Sequence, residues 1–139
     1  MITPAPTTKI DRALTRGVLV STDGEAVTIS IPNTNYQLRL IALGEITTRP
    51  GKRIIGTVRA QALRVDEVRT GGRFVEPVFG RPRRVQGRII AIRDGAIVVD
   101  AGLPIHCTLT DRRQRAADFE QGQLVSFDVL KGATFTPEG

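Results

Sequence analysis

Two stretches of this chain repeat each other about 70 residues apart, and a repeat at fixed spacing sets the unit in which a fold is built. The landmarks are glycines and Asp-Gly pairs that recur at offsets of 70, 71 and 71 positions: Gly17 and Gly87, Asp23-Gly24 and Asp94-Gly95, Gly51 and Gly122. Between them, Val27-Thr28-Ile29 corresponds to Ile97-Val98-Val99. The sequence therefore predicts a duplicated β module.

The chain has 139 residues, so each of two modules is near the lower limit of independent stability. We therefore expect the modules to pack on each other or on a second copy. The predicted organisation is a flexible N-terminal arm over 1–14, a first module over 15–68, a linker over 69–84 and a second module over 85–139.

Alternation of apolar and polar residues predicts five strands in the first module. Tyr36 shares its phase with Leu38 and Leu40, which predicts that its ring faces the core. The Asp23-Gly24 pair favours a tight hairpin turn between the first two strands. The predicted strands are 15–22, 27–31, 36–40, 54–60 and 62–68.

The second module follows the same plan, with one predicted difference. Asp111 can cap a short helix over 112–117, between the third and fourth strands. In the fourth strand, alternation places Val125 in the core and Ser126 on the solvent face. The predicted strands are 85–92, 96–100, 105–110, 124–130 and 133–135.

The order of strands, Asp-Gly turns and connectors in both modules resembles the oligonucleotide/oligosaccharide-binding (OB) superfamily, including the TOBE and molybdate-binding (Mop) modules that often occur in tandem. The resemblance implies an all-β fold of two tandem, small, five-stranded OB-like barrels, with the short helix between strands 3 and 4 of the second. The Mop-like modules imply a small oxyanion as one possible ligand.

The inventory of reactive residues predicts a protein that is not an enzyme. His106 and Cys107 are the single members of their types, and neighbouring strand residues point to opposite faces, so they cannot form a nucleophile–base pair. Asp66 and Glu67 are also neighbours in a predicted strand, so their carboxylates point to opposite faces and do not form a catalytic pair. A tetrahedral metal site wants three or four ligands. We therefore expect no catalytic residue, no metal and no cofactor.

The apolar segments and the cysteine content of the chain indicate its cellular location. No apolar run approaches the roughly 18 residues that a membrane span requires, so no membrane association is expected. The start of the chain has no apolar segment typical of a secretory signal, and one cysteine cannot form an internal disulfide. The prediction is a cytoplasmic protein.

The positive charge is concentrated in the middle of the chain. Ten arginines and three acidic residues between positions 53 and 93 give +7, whereas the whole chain carries +6. Arginine pairs bidentately with phosphate, so this stretch favours nucleic-acid binding without strong sequence specificity. The predicted nucleic-acid-binding residues are Arg69, Arg73, Arg81, Arg83, Arg84 and Arg88.

The linker supports a second hypothesis, a protein-interaction or self-assembly module. Flexible spacers are polar, whereas this linker contains Phe74, Val75, Val78 and Phe79. We expect part of it to dock on a protein surface, with Phe74 and Phe79 as the interaction residues. Binding of a small oxyanion at the junction between modules is the third hypothesis.

Overall fold

The computed structural model describes residues 11–138, and these residues form an all-β structure. The strands largely follow the predicted alternation, so that one face of each strand is buried and the other is exposed to solvent. Their bounds are β1 Thr15–Asp23, β2 Ala26–Ser30, β3 Gln37–Ala42, β4 Arg53–Ala62, β5 Asp66–Glu67, β6 Phe74–Glu76, β7 Phe79–Gly80, β8 Arg84–Arg93, β9 Ala96–Asp100, β10 Pro104–Leu109, β11 Leu124–Asp128 and β12 Thr134–Pro137.

Five of these strands close a small barrel. The pairing runs from β1 to β2, β3, β12 and β4, and β4 then pairs with β1. The β3–β12 pair is parallel and the others are antiparallel. The predicted small five-stranded β-barrel is therefore present, although its fifth strand comes from the far end of the chain.

The segment that the sequence assigns as the fifth strand of the first module pairs with the second half of the molecule instead. The end of β4 runs parallel to β10, with Val58 opposite Ile105 and Ala62 opposite Leu109. The short strand β5 pairs with β11. The twelve strands thus belong to one continuous sheet, and the expected pair of self-contained barrels is not confirmed.

Corresponding positions in the two halves have the same local geometry. Gly17 and Gly87 each lie where a Cβ atom would collide with a backbone carbonyl oxygen, that of Ser30 and of Asp100 respectively. The register of both first strands also shifts at the same place, between Leu19 and Ser21 in β1 and between Ile89 and Ala91 in β8. All of these positions correspond at an offset of 70 residues.

The hairpin turns correct one detail of the predicted repeat. Asp23 pairs with Ala26, so the first turn consists of Gly24 and Glu25. The second turn consists of Asp94 and Gly95, both with positive φ, as a type I′ turn requires. The two Asp-Gly pairs are therefore not equivalent, because the first lies one residue earlier relative to its turn.

The core extends across both halves. Its largest fully buried side chains are Phe127, Phe135, Leu19, Ile29, Leu38, Leu40, Ile89, Ile97 and Ile105. Tyr36 is 7% exposed, which confirms its predicted inward orientation. Its hydroxyl donates to the carbonyl oxygen of Ala101 at 2.9 Å and accepts from the amide of Val75 at 3.1 Å. One side chain thus joins the first half, the second half and the linker.

The linker is more ordered than a spacer. Within 69–84, β6 pairs with β8 and β7 pairs with β3. Val75 is 1% exposed, and Val78 packs against the core. These two apolar linker residues therefore pack on the chain's own core.

Ser126 is the position where the predicted alternation fails. Its neighbour Val125 is fully buried as expected, but Ser126 is only 2% exposed. A guanidinium nitrogen of Arg84 donates to the Ser126 hydroxyl at 2.9 Å, so the long side chain of Arg84 covers it. Alternation identifies the face of a strand, and it does not reveal what lies over that face.

The predicted helix over 112–117 is a single 3-10 turn over Ala116–Asp118. Asp111 accepts hydrogen bonds from the side chain and the backbone amide of Arg113, and these bonds lower the pKa of its carboxyl to about 2. Within the predicted N-terminal arm, residues 1–10 lie outside the described residues. Ala13 is buried, and its carbonyl oxygen lies 2.9 Å from Nε2 of His106.

Candidate nucleic-acid interface

Three of the six predicted arginines lie together on the outer face of β8. Arg84 and Arg88 alternate there with the buried Val85 and Gly87. Arg73 approaches from the linker, because its ion-pair partner Asp100 is the residue opposite Arg88 in the sheet. The predicted cluster is therefore partly assembled by the fold.

These three arginines are already engaged by the protein itself. Arg84 pairs with Asp128 at 2.8 Å, and Arg73 pairs with Asp100 at 3.0 Å. Arg88 donates to the carbonyl oxygen of Gly122 at 2.8 Å. A phosphate at this face would have to compete with two carboxylates, which reduces its attraction.

The other three predicted arginines lie elsewhere. Arg69 follows β5 and is exposed, Arg83 is exposed immediately before β8, and Arg81 is half-buried after β7. Within residues 11–138 none of the three forms an ion pair. They are available to an anion, but they do not share one strand face.

The two predicted protein-interaction residues also differ. Phe74 is half-buried in β6, opposite Gln86. Phe79 lies opposite Gln37 in β7 and is 61% exposed, the highest exposure of any large apolar residue in the described chain. Only Phe79 presents most of its ring to solvent.

A second basic cluster, which the sequence did not single out, lies on the barrel of the first half. It consists of Arg16 on β1, Arg53 at the start of β4, and Arg49 and Lys52 in the turn before β4, and we call it the basic strip. All four residues are exposed, and none forms an ion pair within the part of the chain that the structure describes.

Sheet pairing brings the basic strip together. Val18 lies opposite Arg53, and Arg16 lies opposite Ile55, so Arg16 and Arg53 are diagonal neighbours on adjacent strands. Diagonal neighbours of this kind are about 7–8 Å apart. The turn carrying Lys52 is held on β1 by two backbone hydrogen bonds with Leu19, of 2.7 and 3.0 Å.

A partial signal for this site was present in the sequence. The inward phase of Gly17 and Leu19 indicates that Arg16 points outward. The contact between β1 and β4 leaves no local trace, however, so the residues around Gly51 indicated only a turn. The missing information was a long-range strand pairing.

The outer face of the second half is covered by the linker where the first half is open. The side-chain amide of Gln86 donates to the carbonyl oxygen of Gly72 at 2.8 Å, and Gln86 is 8% exposed. Gln86 lies 70 residues after Arg16 and pairs with β11 as Arg16 pairs with β4. The equivalent of an exposed arginine is thus a buried amide.

A shallow basin of about 270 Å³ remains beside this covered face. It is lined by Gly71, Gly72, Arg73, Arg88, Asp100 and Leu124. The carboxylate of Asp100 lies inside it and holds Arg73. Its charge is therefore partly compensated, which disfavours a small oxyanion in this basin.

His106 and Cys107 occupy opposite sides of β10, as alternation requires. Cys107 is fully buried, and burial raises the pKa of its thiol far above its ordinary value. No group of three or more potential metal-ligating side chains occurs within the described residues. The same residues include no helix that is long and apolar enough to span a membrane.

Comparison of the chain with models of known protein families, with curated protein sequences and with solved structures finds no match.

Proposed function

We propose that this protein binds nucleic acid without strong sequence specificity, through phosphate contacts made by the basic strip. In this proposal the chain consists of two OB-like modules that complete each other's strand pairing. The protein is not proposed to catalyse a reaction.

The observation that carries the proposal is the free state of the basic strip. Exposed cations that form ion pairs must give up their carboxylates before they can neutralise a phosphate. Arg16, Arg49, Lys52 and Arg53 have no such partner among the described residues. Phosphate neutralisation releases counterions, so each contact adds to affinity and to salt dependence.

The strip has a polar neighbour that suits a nucleic-acid backbone. Val18 of β1 lies opposite Ser30 of β2. A hydroxyl group of this kind donates hydrogen bonds to phosphate and sugar oxygens. Within residues 11–138 the surface offers no cluster of exposed aromatic side chains, so the proposal relies on charge rather than on base stacking.

The proposal is tested by measuring oligonucleotide affinity, by fluorescence anisotropy, as a function of salt. The protein is expected to bind single-stranded and duplex oligonucleotides. The logarithm of its binding constant should fall linearly with the logarithm of the salt concentration. The double variant Arg16→Gln with Arg53→Gln should bind more weakly. On a single strand its salt slope should fall by about 0.7 for each lost contact.

A matched control removes the same charge elsewhere. Arg112→Gln with Arg115→Gln changes two exposed arginines in the connector between β10 and β11, and we expect no change in the salt slope. The double variant Arg81→Gln with Arg83→Gln measures how much the linker arginines contribute to oligonucleotide affinity. Equal losses in the control and the strip variant would reject the strip, and no wild-type binding at low salt would reject nucleic-acid binding.

A further inference from the structure

The outer face of β3 has an aromatic side chain at one end and an apolar groove at the other. Along β3, Gln37, Arg39 and Ile41 point outward, alternating with the buried Leu38 and Leu40. Phe79 lies beside Gln37 and is mostly exposed. Arg39 is therefore midway between Phe79 and Ile41, about 7 Å from each along the strand direction.

The far end of β3 borders a groove of about 570 Å³ with an apolar floor. Ile41 and Leu43 are 41% and 47% exposed there. Glu25 and Glu45 also line the groove, and its lining contains no basic residue. The groove is therefore suited to an apolar side chain that is accompanied by positive charge.

The chain itself carries such a group at the opposite end of β3. Phe79 is followed by Arg81 and Arg83, and neither arginine has an ion-pair partner within residues 11–138. The aromatic end is basic and the groove end is acidic. The two ends are complementary in polarity and in charge.

The geometry points to a symmetric dimer. We propose that two copies of this chain associate through the outer face of β3 around a twofold axis near Arg39. Phe79 of each copy then enters the Ile41–Leu43 groove of the other copy, since a twofold axis makes every contact twice. Arg81 and Arg83 approach the Glu25 and Glu45 rim of that groove.

The centre of this interface is compatible with a twofold axis. Arg39 would otherwise meet its own copy across the axis, and like charges repel. Arg39 is, however, bound to Asp23 at 3.1 Å, so the pair carries no net charge. Arg16 of the basic strip lies on β1, on the other side of β2 from this interface, whereas Arg53 borders the interface, because it lines a pocket together with Leu43 and Glu45.

Sedimentation velocity of the full chain over a range of protein concentrations tests the dimer. The wild type is expected to show a reversible monomer–dimer equilibrium. Phe79→Ser should weaken it by at least about tenfold, because a central aromatic anchor usually dominates an interface. Ile92→Ser is the control, since Ile92 is also exposed, at 40%, but lies on β8.

Charge reversal tests the orientation of the two copies. Glu45→Lys and Arg81→Glu should each weaken the dimer, and the double variant should recover most of the lost association. Thermal melts of all variants should match the wild type, because these side chains lie outside the core. Recovery in the double variant separates a specific contact from a general change of charge.

Two outcomes would overturn the proposal. The first is a wild type that stays monomeric at every concentration; if its oligonucleotide affinity then falls on Phe79→Ser, Phe79 is assigned to base stacking instead. The second is a dimer that Phe79→Ser and the charge variants leave unchanged.

Discussion

The two halves of the molecule have the same strand pairing at matching positions, but only the second half has its outer surface covered by the linker. In the first half, Val18 lies between Ser30 and Arg53 on an open barrel surface. In the second half, Arg88 lies between Asp100 and Leu124, at matching positions. There the linker covers the surface, and Arg73 bonds Asp100.

The number of arginines in a segment therefore does not indicate where the binding surface lies. Within the arginine-rich centre, four arginines pair with the protein's own carboxylates: Arg64, Arg73, Arg84 and Arg93. The four cations of the basic strip remain free because no acidic side chain of the described chain lies within ion-pair distance of them. Availability follows from tertiary pairing rather than from local composition.

The largest expected effect comes from placing a charge at equivalent core positions of the two halves. Ile54 pairs with Gly17 and Val125 pairs with Gly87, and both side chains are buried. We expect Ile54→Asp and Val125→Asp each to cost more than about 4 kcal/mol, because an unpaired carboxylate would be buried. Chemical denaturation measures the loss.

The same experiment tests whether the halves are truly one unit. Since the strands form one continuous sheet, either variant should weaken a single cooperative transition, followed by circular dichroism. Two separate unfolding transitions, with only one of them shifted in each variant, would show that the two halves unfold independently and do not exchange strands.

The next effect comes from the strand that crosses from one half to the other. Phe135 of β12 is fully buried in the barrel of the first half, where its ring packs closely over Gly56. We expect Phe135→Ala to cost about 3–5 kcal/mol in the free energy of unfolding. Thr136→Ala, on the outer side of the same strand, is the matched control and should cost far less. Similar losses would mean that β12 does not close the barrel.

A smaller effect is expected at the contact that fixes the linker. Tyr36→Phe removes the hydroxyl that bonds Ala101 and Val75, and leaves a buried amide and carbonyl without that partner. We expect a loss of about 1–3 kcal/mol. Hydrogen exchange of the Val75 amide should also accelerate. Unchanged exchange at Val75 would show that the linker is held by other contacts.

The sequence predicted those parts of the fold that local patterns control. The inward phase of Tyr36 and of Val125, and the opposite orientations of His106 and Cys107, follow from alternation along a strand. The exchange of β5 and β12 was not predicted, because long-range pairing leaves no period in the sequence.

The candidate site was predictable only in part for the same reason. Arginine content identified Arg84 and Arg88, whereas the ion pair of Arg84 with Asp128 and the hydrogen bond of Arg88 to the Gly122 carbonyl depend on contacts between distant segments. The burial of Ser126 under Arg84 has the same origin. Which residues are free to bind is a property of the assembled surface.

The most direct test of the central claim is a nuclear magnetic resonance titration of the labelled protein with a short single-stranded oligonucleotide at low salt. The account predicts that backbone amide shifts change around Arg16, Val18 and residues 49–53. It predicts little change at residues 71–76 and 86–88, where the linker covers the second half. Shifts confined to the covered face, or absent from the basic strip at saturation, would contradict it.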